Sequence, residues 1–223
     1  MVGGSNGLGR VIAQRLFERG DTVIITSRSQ ERADAVAAEM GGAARGLAAD
    51  LSKPASIADS FASVTSVDNL VITAIDQGVN SLKAFNVEHA ITAITTKLVG
   101  YAETVRVLRP HFTPDASVVL FGGLAKERPY PGSTMVTTFN AGVSGLVKTL
   151  ALELAPHRVN AVHPGVVGDS PKWRAMPNHP AIARTPIGRL VTMNEVADAT
   201  EFLLRNGGIN AHDLYVDGGL LVT

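Results

Sequence analysis

Gly3-Gly4-Ser5-Asn6-Gly7-Leu8-Gly9, running into a helical stretch at 7–19 and then a β-branched run at 22–26, is the segment on which the fold turns. Glycines allow a tight turn and let backbone N–H groups approach a pyrophosphate closely. A helix beginning at the same point adds partial positive charge. A glycine-rich stretch alone marks any turn. Followed at once by helix and strand, it reads as the phosphate loop of a dinucleotide-binding βαβ unit. Gly3, Ser5, Asn6, Gly7, Leu8 and Gly9 are the candidate contacts.

Outward from that loop the pattern repeats. Short apolar runs at 22–26, 45–49, 69–73, 116–121, 158–162 and 214–216 alternate with helical segments at 7–19, 30–39, 54–62, 87–109, 133–154 and 194–205. Regular alternation predicts an α/β fold. It is a Rossmann-type, doubly wound parallel sheet of about seven strands with helices on both faces, in a single domain. Ligands of such sheets bind beyond the carboxyl ends of the strands. The stretch 168–189 breaks the rhythm, with four prolines and the only tryptophan, Trp173. Its length predicts a substrate lid. One feature conflicts with the scheme. A central strand should precede the glycine loop, yet only Met1 and Val2 do, so either the numbering begins late or a few apolar residues of that strand are missing. Without it, neighbouring strands would carry unpaired backbone groups in the core.

Composition narrows the function. Hydrophobic residues make up 45% and charged residues 18% of 223, so the chain can bury a real core and is not a disordered one. Twenty basic and twenty acidic side chains give a net charge of +0, which provides no field for nucleic acid or an anionic membrane surface. Cysteine is absent, which excludes disulfides and thiolate chemistry and favours a cytoplasmic setting. No apolar run is long enough to span a bilayer, and no signal peptide leads the chain. The six histidines show no metal-ligand spacing, so no metal is expected.

The end of the second strand sets cofactor choice. An acidic residue there would hold a ribose diol. This chain has Thr26-Ser27-Arg28-Ser29, a guanidinium among hydroxyls, which suits a 2′-phosphate and predicts NADP(H). The plainer reading is that Arg28 is a solvated loop residue.

At this point the chain resembles the short-chain dehydrogenase/reductase family, over its whole length and in the right order. Gly3-x-x-x-Gly7-x-Gly9 matches the family's TGxxxGxG, with Val2 in place of its Thr. Asp50-Leu51 matches the pair that flanks the adenine. Asn160-Ala161-Val162-His163-Pro164-Gly165 resembles the N-x-x-x-P-G segment at the nicotinamide, and Val216-Asp217-Gly218-Gly219 the terminal VDGG. Of the family's NNAG, only Ala74 remains in Ile72-Thr73-Ala74-Ile75. The resemblance thus adds Asp50, Leu51, Ala74, Pro164, Gly165 and Val167 to the cofactor contacts. It also implies a homodimer or homotetramer built on the helices at 87–109 and 133–154. The stripe Val143, Leu146, Val147, Leu150, Ala151 and Leu154 serves either the core alone or a neighbouring subunit as well.

The catalytic positions depart from the family's Asn, Ser, Tyr and Lys. With Asn140-Ala141-Gly142 as anchor, the Lys position falls on Asn140, the Tyr position on Val136, the Ser position on Gly123 and the Asn position on Lys97. Val136 cannot donate a proton and Gly123 has no hydroxyl. Two of the types are exchanged: lysine stands where asparagine is expected, and asparagine where lysine is. Lys97 either reaches the nicotinamide ribose from the other side, its amine tuned by burial toward acid–base use, or turns outward on a long helix.

Other polar residues have two readings each. Tyr130, between Pro129 and Pro131, either supplies a phenol to the cleft or packs between prolines. His163 reads as a hydrogen-bonded structural histidine rather than an acid. Ser133 or Thr134 reads as a helix N-cap, with Thr137 and Thr138 near the vacated Tyr position. Lys126-Glu127-Arg128 reads as a solvated loop, with Arg128 as the alternative anion grip. The expected function is an NADP(H)-dependent oxidoreductase with a non-standard active site, acting on a small molecule that needs little proton donation. Lys97, Asn140 and Tyr130 are its catalytic candidates. The rival reading is a catalytically silent NADP-binding sensor or partner-stabilising protein.

Overall fold

A computed structural model of the chain describes every residue except 76, 77, 79 and 80. Among the described residues six parallel strands form: β1 (Ile24–Ser27), β2 (Arg45–Ala48), β3 (Val67–Ile72), β4 (Phe112–Phe121), β5 (Arg158–Pro164) and β6 (Asp213–Val216). They lie in two pieces, β1-β2 and β3-β4-β5-β6. The first two residues join the pieces. Thr26 N–H donates to the Met1 carbonyl at 3.0 Å, Val2 N–H to the Val71 carbonyl at 2.8 Å and Thr73 N–H to the Val2 carbonyl at 2.9 Å. Met1 and Val2 therefore occupy the central position and pair with the backbone of Ile24, Thr26, Val71 and Thr73. Strand order reverses around this stub, β1 and β2 lying to one side and β3 to β6 to the other, and the glycine loop leaves from it. This is the switch point at which such sheets bind ligands.

Helices cover both faces: α1 (Gly7–Glu18), α2 (Gln30–Met40), α3 (Ile57–Ser60), α4 (Val87–Ile94), α5 (Gly100–Leu108), α6 (Thr134–Glu153) and α7 (Met193–Arg205). Successive strand residues alternate between two cores. Val118 and Leu120 pack with Tyr101, Val105, Val143 and Val147 on one side, while Val119 and Phe121 pack with Ile12, Val196 and Leu203 on the other. That double burial explains why β4 and β5 are apolar throughout rather than alternating. Caps define several helix starts: Asn6 accepts from Gly7 N–H, Ser29 from Arg32 N–H, and Thr192 with Glu195 closes a capping box at α7.

Three expectations are refined. The segment at 54–62 is a 3₁₀ turn (Pro54–Ser56) followed by the short α3. The long helix at 87–109 is α4 and α5 joined by a π turn at Thr95–Val99, an insertion that hydropathy spacing does not register. Within α6, Val143, Val147 and Ala151 are buried in the core, as is Leu154 at its C-cap, so that stripe serves the sheet. Among the described residues, no helix is long and apolar enough to cross a membrane.

Candidate active site

The glycine loop is shaped for close approach. Gly3 and Gly7 have φ of +81° and +51°. A Cβ on Gly9 would lie 2.2 Å from the Gly3 carbonyl oxygen and 2.6 Å from Thr73 Oγ1, so only glycine lets α1 start against this turn. Thr26 and Thr73 brace it. Gly3 N–H donates to Thr26 Oγ1 at 3.2 Å, and Thr73 Oγ1 donates to the Val2 and Gly3 carbonyls, each at 3.2 Å. The bracing role of these two threonines is not legible in the sequence, because their partners lie far along the chain. Asn6 caps Gly7 N–H, which leaves the following N–H groups of α1's first turn for an anion.

Arg28 is exposed, and no hydrogen bond or ion pair holds it among the described residues. Ser29 is committed to capping α2. Asp50 accepts from Ser52 N–H at 3.1 Å and Ser52 Oγ at 2.7 Å. Leu51 is buried beneath Gly100, and Val167 is buried and bridged to Val191, so any contact either makes with a cofactor runs through its backbone. The Ala74 carbonyl accepts from Tyr101 Oη at 2.9 Å. Pro164 ends β5, and Gly165 N–H donates to the Val216 carbonyl at 2.9 Å. The braced loop, the free helix N-terminus and the unpaired Arg28 fit a dinucleotide with a 2′-phosphate.

At the carboxyl ends of β4 and β5 the structure gathers a polar floor. Asn140, on α6, is 3% exposed, and its Oδ1 has no hydrogen-bond partner. A Cβ at Gly123 would meet Asn140 Nδ2 at 2.8 Å, so the carboxamide occupies the space a side chain at 123 would take. Lys97 turns inward. It is 2% exposed, with its ammonium 5.1 Å from the Tyr101 ring centre and 5.9 Å from that of Phe139. No acid pairs with it among the described residues, and burial pushes its amine down to about 7. Lys97 does not donate to Asn140, whose Oδ1 accepts from nothing. Tyr101 and Phe139, which flank the lysine, were not singled out in the sequence because both read as ordinary helix core.

His163 is structural, as expected. It is fully buried, its Nδ1 accepts from Gly123 N–H at 3.1 Å, and its Nε2 faces Asp213 at 3.0 Å. The reading of 126–128 as a solvated loop is overturned. Lys126 has a side chain only 8% exposed and binds Asp213 at 3.0 Å and Glu127 at 2.9 Å. Arg128 does not stand free to grip an anion, because it holds the Leu220 carbonyl and Thr223 Oγ1. These residues tie the loop after β4 to β6 and the carboxyl end of the chain, through partners too distant in sequence to be read from spacing.

Ser133 is at the N-cap position, but its hydroxyl does not cap. It accepts from Tyr130 N–H at 3.0 Å and pairs with Thr137 Oγ1 at 2.9 Å. Tyr130 is held by its backbone; its side chain is exposed, with no phenol bond among the described residues, and it does not join the buried floor. In the stretch 168–189, Pro171 reaches the start of α1, with its Cδ 3.7 Å from a Cβ position on Gly7. Asp169 Oδ1 accepts from Met193 N–H at 2.8 Å, and Trp173 stacks edge-on to His179.

Comparison with known proteins agrees with this fold. Residues 2–221 match the family model described as Enoyl-(Acyl carrier protein) reductase. The chain is 32% identical to Carbonyl reductase family member 4 of Xenopus tropicalis, over 99% of this chain and 96% of that protein. It is 29% identical to 3-oxoacyl-[acyl-carrier-protein] reductase of Bos taurus, over 100% and 97%. A solved short chain dehydrogenase/reductase family protein superposes with a TM-score of 0.88 at 29% identity, covering 100% of this chain and 96% of that one. A further one from Brucella melitensis superposes with a TM-score of 0.92 at 24% identity, covering 98% and 94%, a likeness of fold.

Proposed function

The chain belongs to the short-chain dehydrogenase/reductase family, and we propose that it is an NADP(H)-dependent oxidoreductase of that family with a non-standard active site. One observation carries the proposal. Lys97 and Asn140, both buried and both without a hydrogen-bond partner among the described residues, stand by the carboxyl ends of the central strands. Evolution rarely leaves such groups bare inside a core, because each costs about 1–3 kcal/mol unless a ligand satisfies it.

The cofactor, when bound, supplies hydride transfer. The protein supplies the rest. The loop from Gly3 to Gly9 and the α1 N-terminus hold the pyrophosphate. Arg28 pairs with the 2′-phosphate, and Asp50 and the Leu51 backbone flank the adenine. Pro164 and Gly165 wall the nicotinamide. Lys97 and Asn140 orient the ribose and substrate, and the stretch 168–189 closes over them. Val136 offers no phenol, so a substrate that needs little proton donation fits better than a plain ketone. Exposed Val87, Ile91 and Val99 on the long helix support a homodimer or homotetramer, which light scattering at micromolar concentration tests. The lack of cysteine supports a cytoplasmic setting.

The test is NADPH titration followed by single-turnover absorbance at the NADPH band against carbonyls, imines and enones. Oxidation of NADPH by any of them sustains the proposal. Tight NADPH binding with no oxidation by the whole panel supports the second reading, a silent NADP-binding protein, which Val136 favours.

A further inference from the structure

At the edge of the sheet, the side chain of Gln30 stands in for a further strand. β2 is the outer strand there: Arg45 N–H donates inward to the Val23 carbonyl at 2.9 Å, and Ala49 N–H to the Ser27 carbonyl at 2.8 Å. Gly46 and Ala48, alternating with these, turn their backbone groups away from β1. Two of the outward groups end on the Gln30 carboxamide. Its Nε2 donates to the Gly46 carbonyl at 3.0 Å, and its Oε1 accepts from Ala48 N–H at 2.8 Å. One residue of a neighbouring parallel strand would make that same pair of bonds. Asp34 fixes which end of the amide is which, because its Oδ1 accepts from Nε2 at 2.8 Å. Gly46 lets α2 lie this close: a Cβ there would be 2.5 Å from both the backbone nitrogen and Oδ1 of Asp34.

The place of this clip matters for the cofactor. Ser27 and Gln30 bracket the two-residue turn Arg28-Ser29. Ala49 N–H holds the Ser27 carbonyl and Ala48 N–H holds the Gln30 side chain, so the turn is tied at both ends to adjacent amides of one strand end. Asp50 follows directly. Arg28 has no bond of its own among the described residues, and Ser29 is committed to the N-cap of α2. Resting on the reading above, in which Arg28 pairs with the 2′-phosphate and Asp50 flanks the adenine, we infer that Gln30 is a positioning residue for cofactor choice. It fixes the separation of these two loops, so the guanidinium meets the phosphate without the turn having to be ordered first. Such preorganisation strengthens binding by removing an ordering cost. The gain falls on NADPH, since NADH presents no 2′-phosphate to Arg28.

Gln30→Met keeps the length of the side chain and removes both polar ends at an exposed position, so core packing is kept. Amide hydrogen exchange at Ala48 should quicken about tenfold in the variant, and unchanged exchange would overturn the clip itself. NADPH and NADH are then titrated against wild type, Gln30→Met, Arg28→Ala and the double variant. In Gln30→Met, NADPH affinity should fall about three- to tenfold and NADH affinity by less, so that the preference shrinks. In the Arg28→Ala background the same substitution should leave the NADPH-to-NADH ratio unchanged, because residues acting through one contact couple. An unchanged preference in Gln30→Met, an equal loss for both cofactors, or the same shift in ratio with and without Arg28, would overturn the positioning role and leave Gln30 as a cover for the strand edge. A preference for NADPH that survives Arg28→Ala, or no such preference in wild type, would instead overturn the reading on which the inference rests.

Discussion

His163 and Asp213 meet at 3.0 Å, and that contact fixes the imidazole so that Nδ1 receives the N–H of Gly123. The ring then donates from Nε2 and accepts at Nδ1. Lys126 completes the carboxylate's shell at 3.0 Å. A Cβ on Gly122 would lie 2.2 Å from His163 Nδ1, so the glycine beside the bonded N–H gives the ring its room. Through this chain, β6 holds the backbone against which Asn140 packs.

Removing the imidazole should therefore be costly. His163→Ala leaves the Gly123 N–H and one Asp213 oxygen unsatisfied and opens a cavity, a loss of about 2–4 kcal/mol. Urea denaturation measures it; a loss under about 0.5 kcal/mol would mean that water replaces the ring. Burial alone would raise the Asp213 carboxyl, but donors from His163 and Lys126 outweigh it and hold the group well below the usual carboxylate range. A depressed folded pKa contributes stability at neutral pH and loses it as pH falls below the unfolded value, about 3.9. The stability gap between wild type and Asp213→Asn should accordingly shrink in acid.

Arg28 should read the 2′-phosphate. Loss of one charged contact costs about 1.5–3 kcal/mol. Arg28→Ala should weaken NADPH binding at least tenfold and leave NADH nearly unchanged. Titration of both cofactors decides it, and an equal loss for the two would rule the arginine out as the discriminator.

Lys97 links stability to pH in the opposite sense from a paired lysine. Its folded pKa, about 7, lies below the unfolded value of 10.5 because burial penalises the ammonium. The unfolded chain binds more protons between these values, so stability rises with pH across that window. Below about pH 7 the penalty is present in full. Lys97→Met keeps the stem and deletes the charge. The variant should be more stable than wild type by a few kcal/mol at pH 6–7, with the difference closing toward pH 10, and should lose turnover or NADPH affinity. Melting curves against pH, with a variant less stable than wild type at pH 6, would contradict the account.

Gly9→Ala places a methyl carbon 2.2 Å from the Gly3 carbonyl oxygen, a collision with backbone rather than with a flexible side chain. The loop and α1 must separate, at about 1–3 kcal/mol. Cofactor binding should fall together with stability. Unchanged NADPH affinity in the variant would show that the loop does not approach the pyrophosphate.

The stretch 168–189 should respond to the cofactor, since Pro171 packs against the start of α1 at Gly7. Trp173 emission should change on NADPH addition. Asp169→Ala removes the acceptor for Met193 N–H, an anchor of this stretch to α7, and should raise KM more than it lowers kcat. Emission indifferent to NADPH and to every substrate would place Trp173 away from the mouth.

The sequence by itself determined the layout: the glycine loop at a helix start, the strand and helix order, the basic residue at the end of β1, and Asp50 and Pro164-Gly165 at their strand ends. These are local signals, because turn chemistry and hydrophobic period are written within a few neighbouring residues. What only the tertiary structure decided depends on contacts between residues far apart in the chain. Met1 and Val2 join the two pieces of the sheet because they bond to strands on both sides. Lys97 turned inward because the π turn at Thr95–Val99 and the rings of Tyr101 and Phe139 make room for it. Lys126 left solvent and Arg128 is pinned at the surface because Asp213 and Leu220 wait for them some ninety residues on. Charge in a sequence says nothing of its partner, and burial is a property of the packed chain.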